Sequence, residues 1–320
     1  MISLLIIITA LLVAYANGAN ANFKGVASLY GSGTASFHTA MRWAAVATAA
    51  GAVTVTYVTT QMLAAFSGKG LVPETLVADP GFLFSVAVGA MLTGGLATWW
   101  GFPVSTTHAL TGGLVGAGLA ANAAGVNFEK LWGTFLQPLL LGPVVAILVG
   151  GVLYLLLRTL GAAPDQRSKP LDWLHFLSAG AVCFARGMND TPKMAALLVG
   201  TALGASRESV LLVALAMTAG GILSARKVAE TLAHKITDMN PGQGMVANLT
   251  TSILVILGTL KGLPLSTTHV TVGSLLGIGI TTRQTHWRTA IPVLLAWITT
   301  LPIAAVLAAA CFVISKFFVR

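Results

Sequence analysis

The sequence predicts an all-α, polytopic membrane protein of about 10–12 helices, built from two related halves with broken helices at its centre. Three observations support this fold class: an apolar composition, a series of span-length apolar segments, and an internal repeat. The 320 residues are 56% hydrophobic and 8% charged. Soluble domains carry about 25% charged residues, so most of this protein's surface suits lipid rather than water.

The apolar segments are long enough to cross a bilayer, which takes roughly 20 mostly apolar residues. The first one begins without a positive charge, and we therefore interpret it as a retained membrane helix rather than a signal peptide. The clear candidate spans are residues 1–20, 41–66, 81–100, 131–158, 208–225, 245–260 and 287–315, and the weaker, Gly- and Thr-rich candidates are 104–124, 174–203 and 265–282.

Charge and cysteine content exclude several function classes. The net charge of +9 indicates basic cytoplasmic loops, as in many membrane proteins, rather than a nucleic-acid partner. The two cysteines lie in apolar runs and have neither metal-ligand spacing nor a disulfide pattern. Paired carboxylates and a nucleophile elbow are also missing from the sequence, so we predict no enzyme activity and no cofactor other than a coupling ion.

Two motifs occur twice in the chain, in the same order. Residues 18–27 (GANANFKGVA) match residues 187–196 (GMNDTPKMAA), with Asn20 opposite Asn189, an offset of 169. Residues 101–108 (GFPVSTTH) match residues 262–269 (GLPLSTTH) at an offset of 161. Two matched motifs at similar offsets indicate two related halves. We predict a first transmembrane repeat at 1–160, a connecting loop at 161–172 and a second repeat at 173–320.

The PxSTTH motifs are suited to binding an anion. Ser and Thr are good N-caps, and the start of a helix carries partial positive charge and unpaired N–H donors. At membrane depth, such helix starts can bind a tetrahedral oxyanion without a full charge. A histidine ends each motif and is either a proton carrier or a packed, neutral partner. The predicted substrate residues are Ser105, Thr106, Thr107, Ser266, Thr267 and Thr268, and the histidines are His108 and His269.

The asparagine motifs place ionisable groups inside apolar segments, where such groups are costly and usually functional. Asp190 can ligate Na⁺, accept a proton, or pair with Arg186 or Lys193. Lys193 can bind the anion or neutralise Asp190. In the first half, Ala21 stands opposite Asp190 and cannot coordinate a cation, while the nearby Lys24 can stand in for one.

These motifs resemble the inorganic phosphate transporter family, and the resemblance covers nearly the whole chain. It rests on GANA at 18–21, GMND at 187–190 and the two PxSTTH elements. The resemblance implies inverted-topology repeats, about twelve helices, and phosphate uptake coupled to Na⁺ or H⁺. It also implies a homodimer. The short loops and compact size of the chain indicate a bacterial inner-membrane location. Carried over, the coupling residues would be Asn20, Asn189 and Asp190, and the substrate residues would include Asn20, Lys24, Asn189 and Lys193.

Ala21 departs from the family's GAND signature, which has aspartate at this position. The alanine is either natural or an introduced substitution, and in both cases it predicts weakened cation coupling. It also leaves the substrate open. A carboxylate can accept a hydrogen bond from hydrogen phosphate but not from sulfate, so losing one favours sulfate, whereas the family favours phosphate. From another class, an anion channel is the alternative, since paired helix starts can line a pore.

Overall fold

The computed structural model describes residues 2–55, 61–122, 125–204 and 206–318, and this part of the chain is almost entirely helical, without a named strand. The helices of the first half are α1 (Ile2–Ala21), α2 (Ala27–Gly31), α3 (Phe37–Thr54), α4 (Gln61–Phe66), α5 (Glu74–Val77), α6 (Pro80–Trp99), α7 (Thr106–Ala121), α8 (Phe128–Lys130), a π-helical segment (Leu131–Leu136) and α9 (Gln137–Thr159). Those of the second half are α10 (Lys169–Ala195), a 3-10 turn (Ala196–Leu198), α11 (Arg207–Ser224), α12 (Arg226–Glu230), a π-helical segment (Thr231–Lys235), α13 (Pro241–Leu260), α14 (Thr267–Thr282) and α15 (Trp287–Phe318).

Ten helices in the described residues have at least 16 residues. Six helical stretches are both long and apolar enough to cross a membrane: α1, α6, α8 continued through α9, α11, α13 and α15. Helices α7 and α14 have 16 residues each, about 24 Å at 1.5 Å per residue. They are shorter than the roughly 30 Å hydrocarbon core, as the prediction of broken central helices requires.

The two halves interlock instead of folding side by side. Helix α1 of the first half packs along α11 of the second, and α10 packs along α3 in the same way. Likewise α7 packs along α15, and α14 along α9. Every such contact occurs twice with the halves exchanged, which is the arrangement expected of two repeats related by pseudo-twofold symmetry.

Two element boundaries differ from the sequence prediction. Helix α10 begins at Lys169, inside the segment 161–172 predicted as a loop, because the Ser168 side chain accepts a hydrogen bond from the Leu171 amide and caps the helix. The span predicted at 41–66 contains α3, which ends at Thr54, and α4. Residues 56–60 of that span lie outside the described residues. The division into repeats at 1–160 and 173–320 stays a prediction.

Glycine residues allow the helices to approach closely at two of the crossings between the halves. A Cβ on Gly116 of α7 would lie 2.0 Å from the Ala305 carbonyl oxygen of α15, and one on Gly277 of α14 would lie 2.1 Å from the Ile147 oxygen of α9. The two glycines are 161 residues apart, the offset of the PxSTTH motifs. Small residues let membrane helices approach closely, so these glycines fix the position of the half-helices.

We expect Gly116→Val to destabilise the protein because the valine side chain would overlap the α15 backbone. Overpacking of this kind costs about 1–3 kcal/mol or more, and thermal unfolding in detergent would measure it. Gly95→Val is the matched control, since a Cβ on this membrane-helix glycine meets nothing within 4 Å. Equal unfolding temperatures for the two variants would contradict the close crossing.

Candidate functional site

The two PxSTTH elements meet inside the molecule, where α7 and α14 begin. The Thr107 hydroxyl donates to the Leu265 carbonyl at 3.2 Å, and the Thr268 hydroxyl donates to the Val104 carbonyl at 2.7 Å. Each half-helix therefore bonds to the extended segment that leads into the other. The amino ends of both helices, with their partial positive charge, face one region.

The hydroxyls of the two motifs have different tasks. Ser105 and Ser266 cap their own helices, accepting from the amides of His108 at 3.1 Å and His269 at 3.2 Å. The Thr106 hydroxyl instead accepts from Asn17 at 2.9 Å. The two serines are thus already committed to their helices, while the threonines connect different elements.

Asn20 braces the segment that precedes α7, and Asn189 bonds to the end of α13, the helix before α14. Asn20 donates to the Thr98 hydroxyl at 3.0 Å and to the Phe102 carbonyl at 2.8 Å, and it accepts from the Val104 amide at 3.0 Å. Asn189 donates to the Thr259 hydroxyl at 2.9 Å. Both side chains are buried, and Thr98 and Thr259 are again 161 residues apart. The asparagines therefore hold the site in shape.

The ammonium group of Lys193 lies in a cage of oxygen atoms. It donates to the Thr107 hydroxyl and the Leu265 carbonyl at 2.8 Å, to Asp190 at 3.2 Å, and also to Asn189. These four oxygens exceed its three N–H donors. Lys193 is therefore saturated by the protein.

Lys24 has a similar position in the first half but fewer partners. Its ammonium donates to the Thr268 hydroxyl and, at 3.4 Å, to the Val104 carbonyl. The lysine is 2% exposed. Within the described residues, these two oxygens leave one of its three donors for another acceptor. The difference from Lys193 arises because Ala21 supplies no carboxylate.

Asp190 is the carboxylate of the site and lies between two cations. Its oxygens are 3.2 Å from the Lys193 ammonium and 3.6 Å from the Arg186 Nε. It also accepts from Asn17 at 3.2 Å and from the Thr267 hydroxyl at 3.4 Å. In the described part of the chain, no group of three or more His, Cys, Asp or Glu side chains could hold a metal ion. A Na⁺ at Asp190 would have to displace one of the two cations.

Arg186 connects the two halves at the centre of this cluster. Its guanidinium donates to the Asn17 side chain at 2.5 Å and to the Asn22 side chain at 3.2 Å. The arginine is 1% exposed. The pseudo-symmetry pairs Asn17 with Arg186 at the same offset of 169 as Ala21 and Asp190. An aspartate at position 21 would therefore face Arg186, as Asp190 faces Asn17.

His108 and His269 pack against each other beside the site, with their rings tilted by 42°. Their ring centroids are 4.4 Å apart, and His269 stacks on Trp297 of α15 at 4.0 Å. The His108 Nδ1 lies 2.9 Å from the Ser105 hydroxyl. This packing fits the interpretation as structural partners, and a proton-carrying role stays a prediction.

All the predicted site residues therefore lie at the junction of α1, α7, α10 and α14 or directly beside it. Sequence reasoning did not select Asn17, Asn22, Thr98 and Thr259 as site residues, and it treated Arg186 only as a partner for Asp190. The signal was present, because Asn17–Arg186 and Thr98–Thr259 repeat at the two motif offsets and are polar residues within apolar segments.

Comparisons with known proteins find one family model and several curated relatives that cover most of the chain. The model of the phosphate transporter family matches residues 17–308. A probable low-affinity inorganic phosphate transporter of Mycobacterium bovis is 30% identical over 322 residues, covering 96% of this chain and 76% of that protein. A protein of Bacillus subtilis with the same description is 28% identical, covering 99% of this chain and 98% of its own length.

The fold also has a solved counterpart. A structure described as the sodium-dependent phosphate transporter superposes with a TM-score of 0.87, covers 99% of each chain and is 22% identical. At this identity the likeness concerns the fold, and it extends over the whole chain.

We expect Asn20→Ala to destabilise the protein, because it leaves the amide of the buried residue Val104 without its partner. Each orphaned buried group costs about 1–3 kcal/mol, to be measured by thermal unfolding in detergent. Thr299→Ala is the control, since this exposed hydroxyl bonds to carbonyls of its own helix. If the Asn20 variant unfolded at the same temperature as the control, the bracing role of Asn20 would be wrong.

Proposed function

The chain belongs to the phosphate transporter family, and from this premise we propose that it is a secondary transporter of inorganic phosphate, coupled only weakly to Na⁺ or H⁺. It is a multi-pass membrane protein with several span-length apolar helices. A bacterial inner-membrane location and a dimeric state are part of the proposal. The observation that carries the proposed function is the convergence of two half-helix amino ends with buried lysine at one point.

Phosphate suits this point because of the donors around it. The amino ends of α7 and α14 each contribute roughly half a positive charge. The third N–H donor of Lys24 is available for a hydrogen bond to the substrate. The Thr107 and Thr268 hydroxyls hold the two half-helices together beside it. A dehydrated oxyanion needs such fixed donors in place of its hydration water.

Weak coupling is proposed because the carboxylates of the site are few and already neutralised. Ala21 provides none, and Asp190 is paired with Lys193 and Arg186. A coupling cation needs oxygen ligands that are free to bind it. In the first half, the tethered ammonium of Lys24 takes the place of a mobile cation.

Sulfate is the second candidate substrate, and the same residues favour it. Among the described residues, the buried carboxylate of the site, Asp190, accepts hydrogen bonds from Lys193, Asn17 and Thr267. It also lies 3.6 Å from the Arg186 Nε, so little acceptor capacity remains for the hydroxyl of hydrogen phosphate. The family relationship favours phosphate, and we retain it as the principal substrate.

Purified protein in liposomes should take up labelled phosphate in a saturable manner, with little dependence on Na⁺. Competition by unlabelled phosphate and sulfate, with and without Na⁺, measures both the selectivity and the coupling. Protein-free liposomes are the control. Unitary currents in planar bilayers, in place of saturable uptake, would show a channel instead.

Ala21→Asp should strengthen the dependence of phosphate uptake on Na⁺, by about fivefold or more on the scale typical of coupled sites. The new carboxylate would face Arg186 and Lys24 and would supply the missing oxygen ligands. Ala21→Asn is the matched control because it adds the same volume at this fully buried position without the charge. An unchanged Na⁺ dependence in a folded, active Ala21→Asp variant would refute the role of this position.

A further inference from the structure

The charges buried in the site do not balance. Among the described residues, the buried Lys, Arg, Asp and Glu side chains are Lys24, Arg186, Lys193 and Asp190, exposed by 2%, 1%, 1% and 3%. Three are cationic and one is anionic, a formal excess of two positive charges. The half-helix amino ends add further positive potential at the same place.

Neutral groups surround this excess. The oxygen partners of Lys24 are a carbonyl and a hydroxyl, and the side-chain partners of Arg186 other than Asp190 are Asn17, Asn22 and Thr48. Dipoles of this kind orient a charge but do not cancel it. Buried charge without a counter-charge is costly in a protein interior and more so within a membrane.

We propose that the protein is an exchanger of tetrahedral dianions, in which the bound substrate is the counter-charge of the Lys24–Arg186–Lys193–Asp190 cluster. The inference rests on the proposed function. It adds the charge of the transported substrate and the mode of transport, which is exchange. Hydrogen phosphate and sulfate each carry two negative charges, which matches the excess of two. One dianion enters and one leaves, so each cycle moves no net charge.

Exchange follows from the way in which alternating access works. The substrate site of a repeat-built transporter stays near the middle of the membrane while the halves close over one side and open to the other. Between these states the site is shut off from water on both sides. With a dianion bound, the cluster is neutral during this step. Without a bound dianion, two positive charges are buried without a counter-charge, and the conformational change of the empty transporter is slow.

Ala21 is the residue that sets this behaviour. An aspartate there would lower the excess from two positive charges to one. A site with one excess charge matches a monoanion, or a dianion accompanied by Na⁺. The dianion preference and the requirement for exchange are thus two consequences of the same alanine.

The experiment measures labelled phosphate entering liposomes that contain either unlabelled phosphate or an inert buffer of equal osmolarity. The membrane potential is clamped to zero or to a set value with a potassium gradient and an ionophore. We expect entry to be at least about tenfold faster with internal phosphate. The exchange rate should not change with potential or with Na⁺, and internal sulfate should replace internal phosphate.

Two variants separate the charge of the cluster from general effects. Ala21→Asp should bring the rates with and without internal phosphate closer together and weaken sulfate as an exchange partner more than phosphate. Lys261→Gln also removes one positive charge, but from an exposed position at the end of α13, and should retain the wild-type ratio. Thermal unfolding shows that both variants are folded.

The outcomes are distinct. Uptake into phosphate-free liposomes as fast as exchange, or exchange that depends on potential, would overturn the dianion exchanger and leave phosphate transport standing. The proposal would also be overturned by an Ala21→Asp variant that is folded and active but keeps the wild-type ratio of the uptake rates with and without internal phosphate. If neither phosphate nor sulfate entered under any of these conditions, the proposed function would fail as well.

Discussion

Uncompensated positive charge, held where two short helices meet inside an apolar protein, is the constraint on which the rest of the structure depends. Lys24, Arg186 and Lys193 are almost fully buried with a single carboxylate, Asp190, between two of them. Charged side chains at membrane depth are tolerated only where other groups satisfy them. Oxygen atoms from α1, α3, α7, α10 and α14 contact these cations, and Asn20 fixes the segment that supplies the Val104 carbonyl.

Pseudo-symmetry explains how one chain can build such a site. Each half supplies a half-helix, a bracing asparagine and a lysine. The contacts of Lys193 with Leu265 and Thr107 correspond to those of Lys24 with Val104 and Thr268. Each lysine therefore bonds to its own half through a carbonyl and to the other half through a hydroxyl. The site exists only when the halves interlock, which couples the packing of the whole protein to its function.

The two halves contribute different charges at matched positions of the site. Asn17 corresponds to Arg186, and Ala21 corresponds to Asp190, so one half contributes neutral groups where the other contributes charges. The Arg186 side chain reaches into the first half and bonds to Asn17 and Asn22. Asp190 is likewise reached from the first half by Asn17. The charge of the site is thus set by a few positions, within a scaffold in which the main helix pairings occur twice.

The sequence by itself determined the membrane fold, and it predicted the twofold repeat and most of the residues that meet at the candidate site. Long apolar segments and a low content of charged residues indicate directly that the protein is surrounded by lipid. The duplicated motifs, at offsets of 169 and 161, identified both the half-helices and the asparagines. Sequence could not decide the exact start of α10, since Ser168 and the residues after it suit either a loop or a capped helix. It also gave Arg186 no role beyond pairing with Asp190.

Only the tertiary structure decided which groups contact the buried charges. Residues such as Lys24 and Thr268, or Asn17 and Arg186, lie far apart in the chain and meet because helices of the two halves pack against each other. The saturation of Lys193 by protein oxygens, but not of Lys24, depends on distances of a few tenths of an ångström. Such distances follow from the packing of interlocked helices, which local sequence does not encode.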